Sequence, residues 1–301
     1  MVTARLRKRA TKLHRPVPKA LLAAVERDRW IGYPAGDAGL LRLGELFAMR
    51  PRVRMPCLLI YGVSGAGKSM LLEKFKRDHA PKRSNRSGQR PIIATQMPPV
   101  PVIRSLYGEM VRTLGGNVRP TARYYELEHT AISLLSHANP RMLIIDEIQH
   151  LLSCSAREQR AALNMVKFLS NERRMTIVAA GTHEALHVMR FDPQIASRFE
   201  QMELPVWSES DELRRFIAGY LAMLPVQKNP AAIDQRFVEY LLALTDGVTG
   251  RIIDLLRRAA VNAMTHKARS VGLDQLLAAG AHLPAIINQR ADFTIYDTIK
   301  S

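Results

Sequence analysis

One stretch constrains this chain more than any other: Cys57-Leu-Leu-Ile-Tyr-Gly-Val-Ser-Gly-Ala-Gly-Lys-Ser69, an apolar run that breaks into glycines and ends in Lys-Ser. Residues 57–61 read as a buried strand, and the pattern after Ser69, with Met70, Leu71, Leu72 and Phe75 on one face, reads as a helix. Between them, Gly62 to Gly67-Lys68-Ser69 fits G-x-x-x-x-G-K-[ST], and each position has a physical task. Glycines let the backbone N–H groups of Gly62, Val63, Ser64, Gly65, Ala66 and Gly67 curl around phosphates. The helix beginning around Lys68, Ser69 and Met70 aims its positive dipole end at the same place. Lys68 adds a point charge and the Ser69 hydroxyl suits Mg²⁺, so residues 62–70 are candidates for binding a nucleotide such as ATP. A glycine turn that matches by accident would not also sit between a strand and a helix.

A second apolar run, Met142-Leu-Ile-Ile-Asp-Glu147, reads as a fully buried parallel strand ending in two acids. Asp146 can hold the Mg²⁺ water shell, and Glu147 can polarise the water that attacks a terminal phosphate. Solvated carboxylates at a strand end would be the ordinary alternative, but a phosphate loop upstream makes the catalytic reading the better one.

With 301 residues, 47% of them hydrophobic, the chain can bury one large α/β core and a smaller helical unit. No apolar run approaches the ~20 residues that span a bilayer, and the amino terminus lacks a signal-like apolar stretch. A cytoplasmic protein without membrane contact is expected. Cys57 and Cys154 stand apart without metal-ligand spacing and read as free thiols.

The 44 Lys+Arg against 27 Asp+Glu, a formal net charge of +17, point to a polyanionic partner. The excess is uneven, with Arg5, Arg7, Lys8, Arg9, Lys12, Arg15 and Lys19 in one acid-free run and Lys82, Arg83, Arg86 and Arg90 in another. Such runs can be solvated surface, but counterion release on phosphate contact favours nucleic acid.

Strand candidates at 57–61, 91–95, 142–146, 176–180 and 201–204 alternate with helical patterns. One of these spans 102–114, and another runs from the capping box Ser155-Ala-Arg-Glu158 through Leu169. The alternation predicts a parallel five-stranded sheet covered by helices, with the nucleotide at the carboxyl ends of the strands. After Pro205 the strand signal stops, and helices are expected near 211–224, 231–244, 250–267 and 273–281. The expected organisation is a basic amino-terminal arm (1–30), an ATPase core (31–205), a small all-helical lid (206–283) and a tail (284–301) carrying Phe293 and Tyr296.

The whole-chain pattern resembles the AAA+ superfamily of P-loop NTPases. The resemblance implies that Thr182, which ends the strand pattern Thr176-Ile-Val-Ala-Ala-Gly-Thr182, contacts the γ-phosphate or attacking water as sensor 1. It implies that Arg198, in Asp192-Pro-Gln-Ile-Ala-Ser-Arg-Phe199, is an arginine finger offered to a neighbouring subunit, and that Arg251 is sensor 2. Related initiator ATPases carry the sensor-2 arginine one residue earlier, where this chain has Gly250. Ordinary surface cations are the alternative for both arginines.

Six segments narrow the likeness to the TniB-type transposition ATPases, kin of TnsC and MuB: Ile31-Gly-Tyr-Pro34, Arg54-Met-Pro-Cys-Leu-Leu-Ile60, Gln96-Met-Pro-Pro99, Leu143-Ile-Ile-Asp-Glu-Ile-Gln-His-Leu-Leu152, Ala180-Gly-Thr-His-Glu-Ala185 and Asp192–Phe199. Tyr33 joins the nucleotide-binding candidates on this ground. The resemblance implies a protein that binds ATP and oligomerises on double-stranded DNA as a ring or helical filament. It would recruit a DDE transposase, with a TniQ-like adaptor as a further partner, and disassemble on hydrolysis.

By the same resemblance, DNA contacts map to 81–90 and 97–105, with Lys82, Arg83, Arg86 and Arg104 as the candidates. No aromatic residues interleave with these cations, which favours backbone contacts over base stacking. His150 and His183 lie near the acids without a ligand cluster around them. A helicase-loader or initiator-type ATPase, and a non-hydrolysing scaffold, remain alternatives.

Overall fold

The computed structural model describes residues 17–80 and 90–281. These residues divide into two compact units, 34–205 and a second one made of 17–33 together with 206–281.

The first unit is a five-stranded parallel sheet with strands β1 (Cys57–Tyr61), β2 (Ile92–Gln96), β3 (Met142–Asp146), β4 (Thr176–Gly181) and β5 (Phe199–Glu203), in the order β2-β3-β4-β1-β5. Leu58, Leu59 and Ile60 in β1 and Met142 to Ile145 in β3 are essentially without solvent contact, as strands covered on both faces must be. The expected fifth strand, 201–204, begins two residues earlier. Its ladder is an edge, where Glu200, Gln201 and Glu203 are tolerated and dilute the apolar signal.

Helices pack on this sheet where the residue pattern permits close approach. The segment Pro34–Ala48 is helical despite three glycines, and Gly39 packs closely: a Cβ would stand 2.9 Å from Leu71 Cδ2 and 3.1 Å from the Met202 methyl, flexible side-chain ends that would have to shift. Ser155 caps the helix Ala156–Asn171 by accepting from the Glu158 amide at 3.3 Å. The reciprocal half of the expected capping box does not form. The Glu158 carboxylate instead accepts from the Ile103 amide at 2.7 Å and so caps the neighbouring helix Ile103–Thr113.

The second unit is all helical, with Asp211–Ala222, Gln235–Thr245, Thr249–Thr265 and Leu273–Gly280 around a core that includes Phe237, Leu241, Ile252, Leu256 and Ala260. Residues 17–30 do not behave as the basic arm expected of 1–30. They form the helix Lys19–Glu26, whose Val25 is buried in the helical core, and Arg257 bonds Asp28 at 3.0 Å. Ile31 and Tyr33, expected in the ATPase core, pack in the same helical unit. Residues 1–16, the cluster at Lys82, Arg83 and Arg86, and the tail from 282 lie outside the described residues. No helix among the described residues is long and apolar enough to cross a membrane.

Candidate nucleotide site

The loop after β1 is held in a shape that only glycine tolerates. Gly62, Gly65 and Gly67 all have positive φ, and a Cβ on Gly62 would stand 2.5 Å from the Leu204 carbonyl oxygen. Gly67 caps the helix Lys68–Asp78, so the first amides of that helix open toward the loop. Ala66 is buried beneath the turn, closed by its amide donating to the Val63 carbonyl at 3.1 Å, while Ser64 and Gly65 are exposed and Met70 is half-buried on the helix.

Lys68 is 7% exposed, and its Nζ donates to the carbonyls of Gly62 at 2.8 Å and Val63 at 2.9 Å. Burial lowers its pKa below the ordinary lysine value, and the charges of Glu147 and Asp146 oppose that shift. A buried ammonium resting on loop carbonyls is a cation whose natural partner is an anion seated in the same loop.

Parallel register brings the acids to this end of the sheet. The Ser69 hydroxyl donates to Asp146 Oδ2 at 2.7 Å, and the other Asp146 oxygen accepts from the Glu147 amide at 2.9 Å. The hydroxyl and carboxylate thus stand side by side, a donor set of hard oxygens that fits Mg²⁺. Glu147 does not continue the strand. It takes a left-handed conformation, φ 57°, at the head of a 3₁₀ turn, Ile148–Ser153, and this turns its side chain out of the ladder direction.

Gln149 was not among the residues singled out from the sequence, although it lies within the Leu143–Leu152 run. Its amide nitrogen donates to the Glu147 carboxylate, and its oxygen accepts from the Thr182 amide at 3.2 Å. One side chain therefore ties the end of β3 to the end of β4. The absence of a Cβ at Gly181 makes room for it, since one would lie 2.3 Å from Gln149 Oε1. Thr182 stands just beyond β4, and its hydroxyl donates to Glu184, which pulls the Glu184 pKa down.

The two histidines are accounted for locally. His150 Nδ1 meets the Met97 carbonyl at 2.9 Å, and His183 Nε2 meets Glu203 at 3.2 Å. No group of three or more His, Cys, Asp or Glu able to hold a metal occurs among the described residues. Both cysteines are free, and burial raises both thiol pKa values.

The structure therefore gathers Lys68, Ser69, Asp146, Glu147 and Thr182 at the carboxyl edge of one sheet. Arg198 is not with them: it immediately precedes β5, at the amino edge. Tyr33 and Arg251 belong to the helical unit. Tyr33 packs against Trp30, Trp207 and Phe216, with ring centroids 5.4–5.9 Å apart, and Arg251 pairs with Asp246 at 2.6 Å. Arg104 donates to the carbonyls of Ala122 and Pro120 at 2.9 and 2.6 Å, which commits two of its donors within the chain.

Solved structures share this fold. The chain resembles the Aeropyrum pernix Orc1 protein in complex with DNA, with 19% identity, TM-score 0.66, and 86% of this chain and 68% of that one covered. It also resembles the ADP form of Aeropyrum pernix ORC2, with 18% identity, TM-score 0.63, and 86% and 72% covered. The Thermotoga maritima RuvB Holliday junction branch migration motor follows, with 17% identity, TM-score 0.52, and 85% and 72% covered. At these identities the likeness establishes the fold alone, that of the AAA+ P-loop NTPases. No curated protein matches the sequence. The family described as "Bacterial TniB protein" matches residues 21–209, more than half of the chain, and the protein belongs to the TniB family.

Proposed function

We propose that this protein is an ATPase that binds double-stranded DNA and regulates DNA transposition. The observation that carries the enzymatic part is the Ser69–Asp146 hydrogen bond, with Lys68 buried on the carbonyls of its own glycine loop beside it. Such a constellation pairs with itself in the free chain and offers the same groups to phosphate.

In this reading Lys68 leaves the Gly62 and Val63 carbonyls for the β- and γ-phosphate oxygens, and the amides of residues 62–70 cradle the remaining charge. Mg²⁺, when held through Ser69 and Asp146, would supply charge neutralisation for the phosphate oxygens. Glu147 orients a water and takes its proton as the water oxygen bonds to the γ-phosphorus and the bond to the ADP oxygen breaks. Thr182 exchanges its Glu184 partner for the γ-phosphate or that water. Arg198 cannot serve the same subunit's nucleotide. The five residues of β1 separate the two edges by ~16 Å at ~3.3 Å per residue, so the guanidinium acts on the site of a second copy. Tyr33 and Arg251 remain nucleotide-binding candidates on the family resemblance alone. Arg251 must first release Asp246.

Double-stranded DNA meets the basic run through the phosphate contacts of Lys82, Arg83 and Arg86, with a smaller share from Arg104, two of whose five donors are committed within the chain. Assembly as a ring or filament, recruitment of a DDE transposase and a TniQ-like adaptor, and disassembly on hydrolysis complete the proposal. Membership of the TniB family supports it over a helicase-loader or initiator role, since the Orc1 likeness is one of fold. The test is ATP hydrolysis with and without duplex DNA, alongside capture of the transposase on that DNA. The Glu147→Gln variant should hold ATP and stay on DNA while hydrolysis falls about a thousandfold. Wild-type hydrolysis by that variant would refute the assignment.

A further inference from the structure

Three adjacent parallel strands, β4, β1 and β5, each begin one to three residues after an arginine: Arg174 before Thr176, Arg54 before Cys57 and Arg198 before Phe199. Because the strands are parallel, all three arginines emerge at the amino edge. There they line one cavity of about 480 Å³ with Val53, Asn171 and Glu172.

The cavity is built around an arginine that lacks a full set of partners. Arg198 donates from Nη1 to Asn171 Oδ1, and its carbonyl accepts from the Cys57 amide at 3.0 Å, which fixes it to the start of β1. Its Nε is buried and has no hydrogen-bond partner among the described residues. Arg54 is held beside it by a 3.1 Å bond from Nη2 to the Ser197 hydroxyl. Arg174 is exposed and sits in a left-handed backbone conformation, φ 50°, which an arginine adopts only at a cost. Glu172, the one carboxylate of the lining, forms no ion pair with any of the three. Three guanidiniums around one cavity, with a buried donor unsatisfied, make a receptor for a multiply charged anion.

We propose that Arg54 and Arg174 act with Arg198 as one anion-binding site for the polyphosphate of an ATP held in the glycine loop of a second copy of this chain. The inference rests on the reading of Arg198 above and extends it from one arginine to three. The arginines stay charged throughout and neutralise the phosphate oxygens; they move no proton. A nucleic-acid phosphate has the same chemistry. The nucleotide is favoured because the site lies beside Arg198, on an edge that its own glycine loop cannot reach.

The test uses mixtures of full-length variants. In an equal mixture of Lys68→Ala and Arg198→Ala chains, only the second binds ATP and only the first lends an intact arginine set, so hydrolysis recovers. Adding Arg54→Gln to the Lys68→Ala chain should lower the recovered rate about tenfold, and Arg54→Lys should restore only part of it. Adding Arg174→Gly should lower the rate severalfold while raising the melting temperature, since glycine relieves the left-handed backbone. Loss of function with gain of stability cannot come from misfolding. Full recovery with both substitutions would overturn the proposal. So would a rate loss accompanied by weaker duplex-DNA binding with a shallower salt dependence, which would assign the arginines to DNA. If the parent mixture itself fails to recover although the chains co-assemble, the reading of Arg198 fails first, and the extension with it.

Discussion

At the carboxyl edge of the sheet Lys68 rests on the carbonyls of Gly62 and Val63, Ser69 on Asp146 and Glu147 on Gln149, whereas at the amino edge Arg198 keeps a buried Nε without a partner among the described residues, beside Arg54 and Arg174. Both edges hold a side chain in a left-handed backbone conformation, Glu147 at the carboxyl edge beside the glycines of the loop and Arg174 at the amino edge. A region whose polar groups pair with one another can wait for a small ligand without loss. A buried guanidinium nitrogen with no partner among the described residues is costly in the lone chain, and it is explained if another molecule completes it.

The largest effect should come from Lys68→Ala. Losing a buried charge-assisted contact to phosphate costs about 3 kcal/mol, on the order of a hundredfold in ATP affinity by equilibrium titration. An unchanged affinity would mean that the self-paired edge is structural. Gly62→Ala should follow, with about 2 kcal/mol lost in denaturant unfolding, because the new methyl meets the Leu204 carbonyl at 2.5 Å.

Gln149→Ala tests whether the internal pairing matters for chemistry. It frees Glu147 from Thr182's strand and should lower kcat about tenfold with KM for ATP nearly unchanged, since Gln149 touches the acid and not the loop. The smallest effect is on stability. Glu147→Gly should gain about 1 kcal/mol in unfolding free energy, through relief of its φ of 57°, while abolishing hydrolysis.

The glycine loop and its acids were legible because each is a short apolar run with a chemical ending, and strands buried on both faces announce themselves. The edge strand was displaced by two residues because Glu200, Gln201 and Glu203 interrupt its pattern. Local sequence could not attach the helix Lys19–Glu26 to the helical unit, since one buried residue, Val25, makes that connection across most of the chain. The arginine cavity was equally hidden. Arg54, Arg174 and Arg198 are far apart in sequence, and only the strand order β4-β1-β5 sets them on neighbouring strands. Gln149 stood in a run already noted, yet its role depends on the left-handed turn at Glu147, which periodicity does not reveal.

If the hydrolytic site is shared between copies, the specific ATPase activity of the wild-type protein depends on its own concentration, which is measured without any substitution. At saturating ATP and fixed salt, activity per chain should be near zero where light scattering finds single chains. It should climb as they associate and level off once assembly is complete. A constant activity per chain, down to concentrations where only single chains exist, would contradict the account: each copy would then carry a whole site of its own, and the amino-edge arginines would need another explanation.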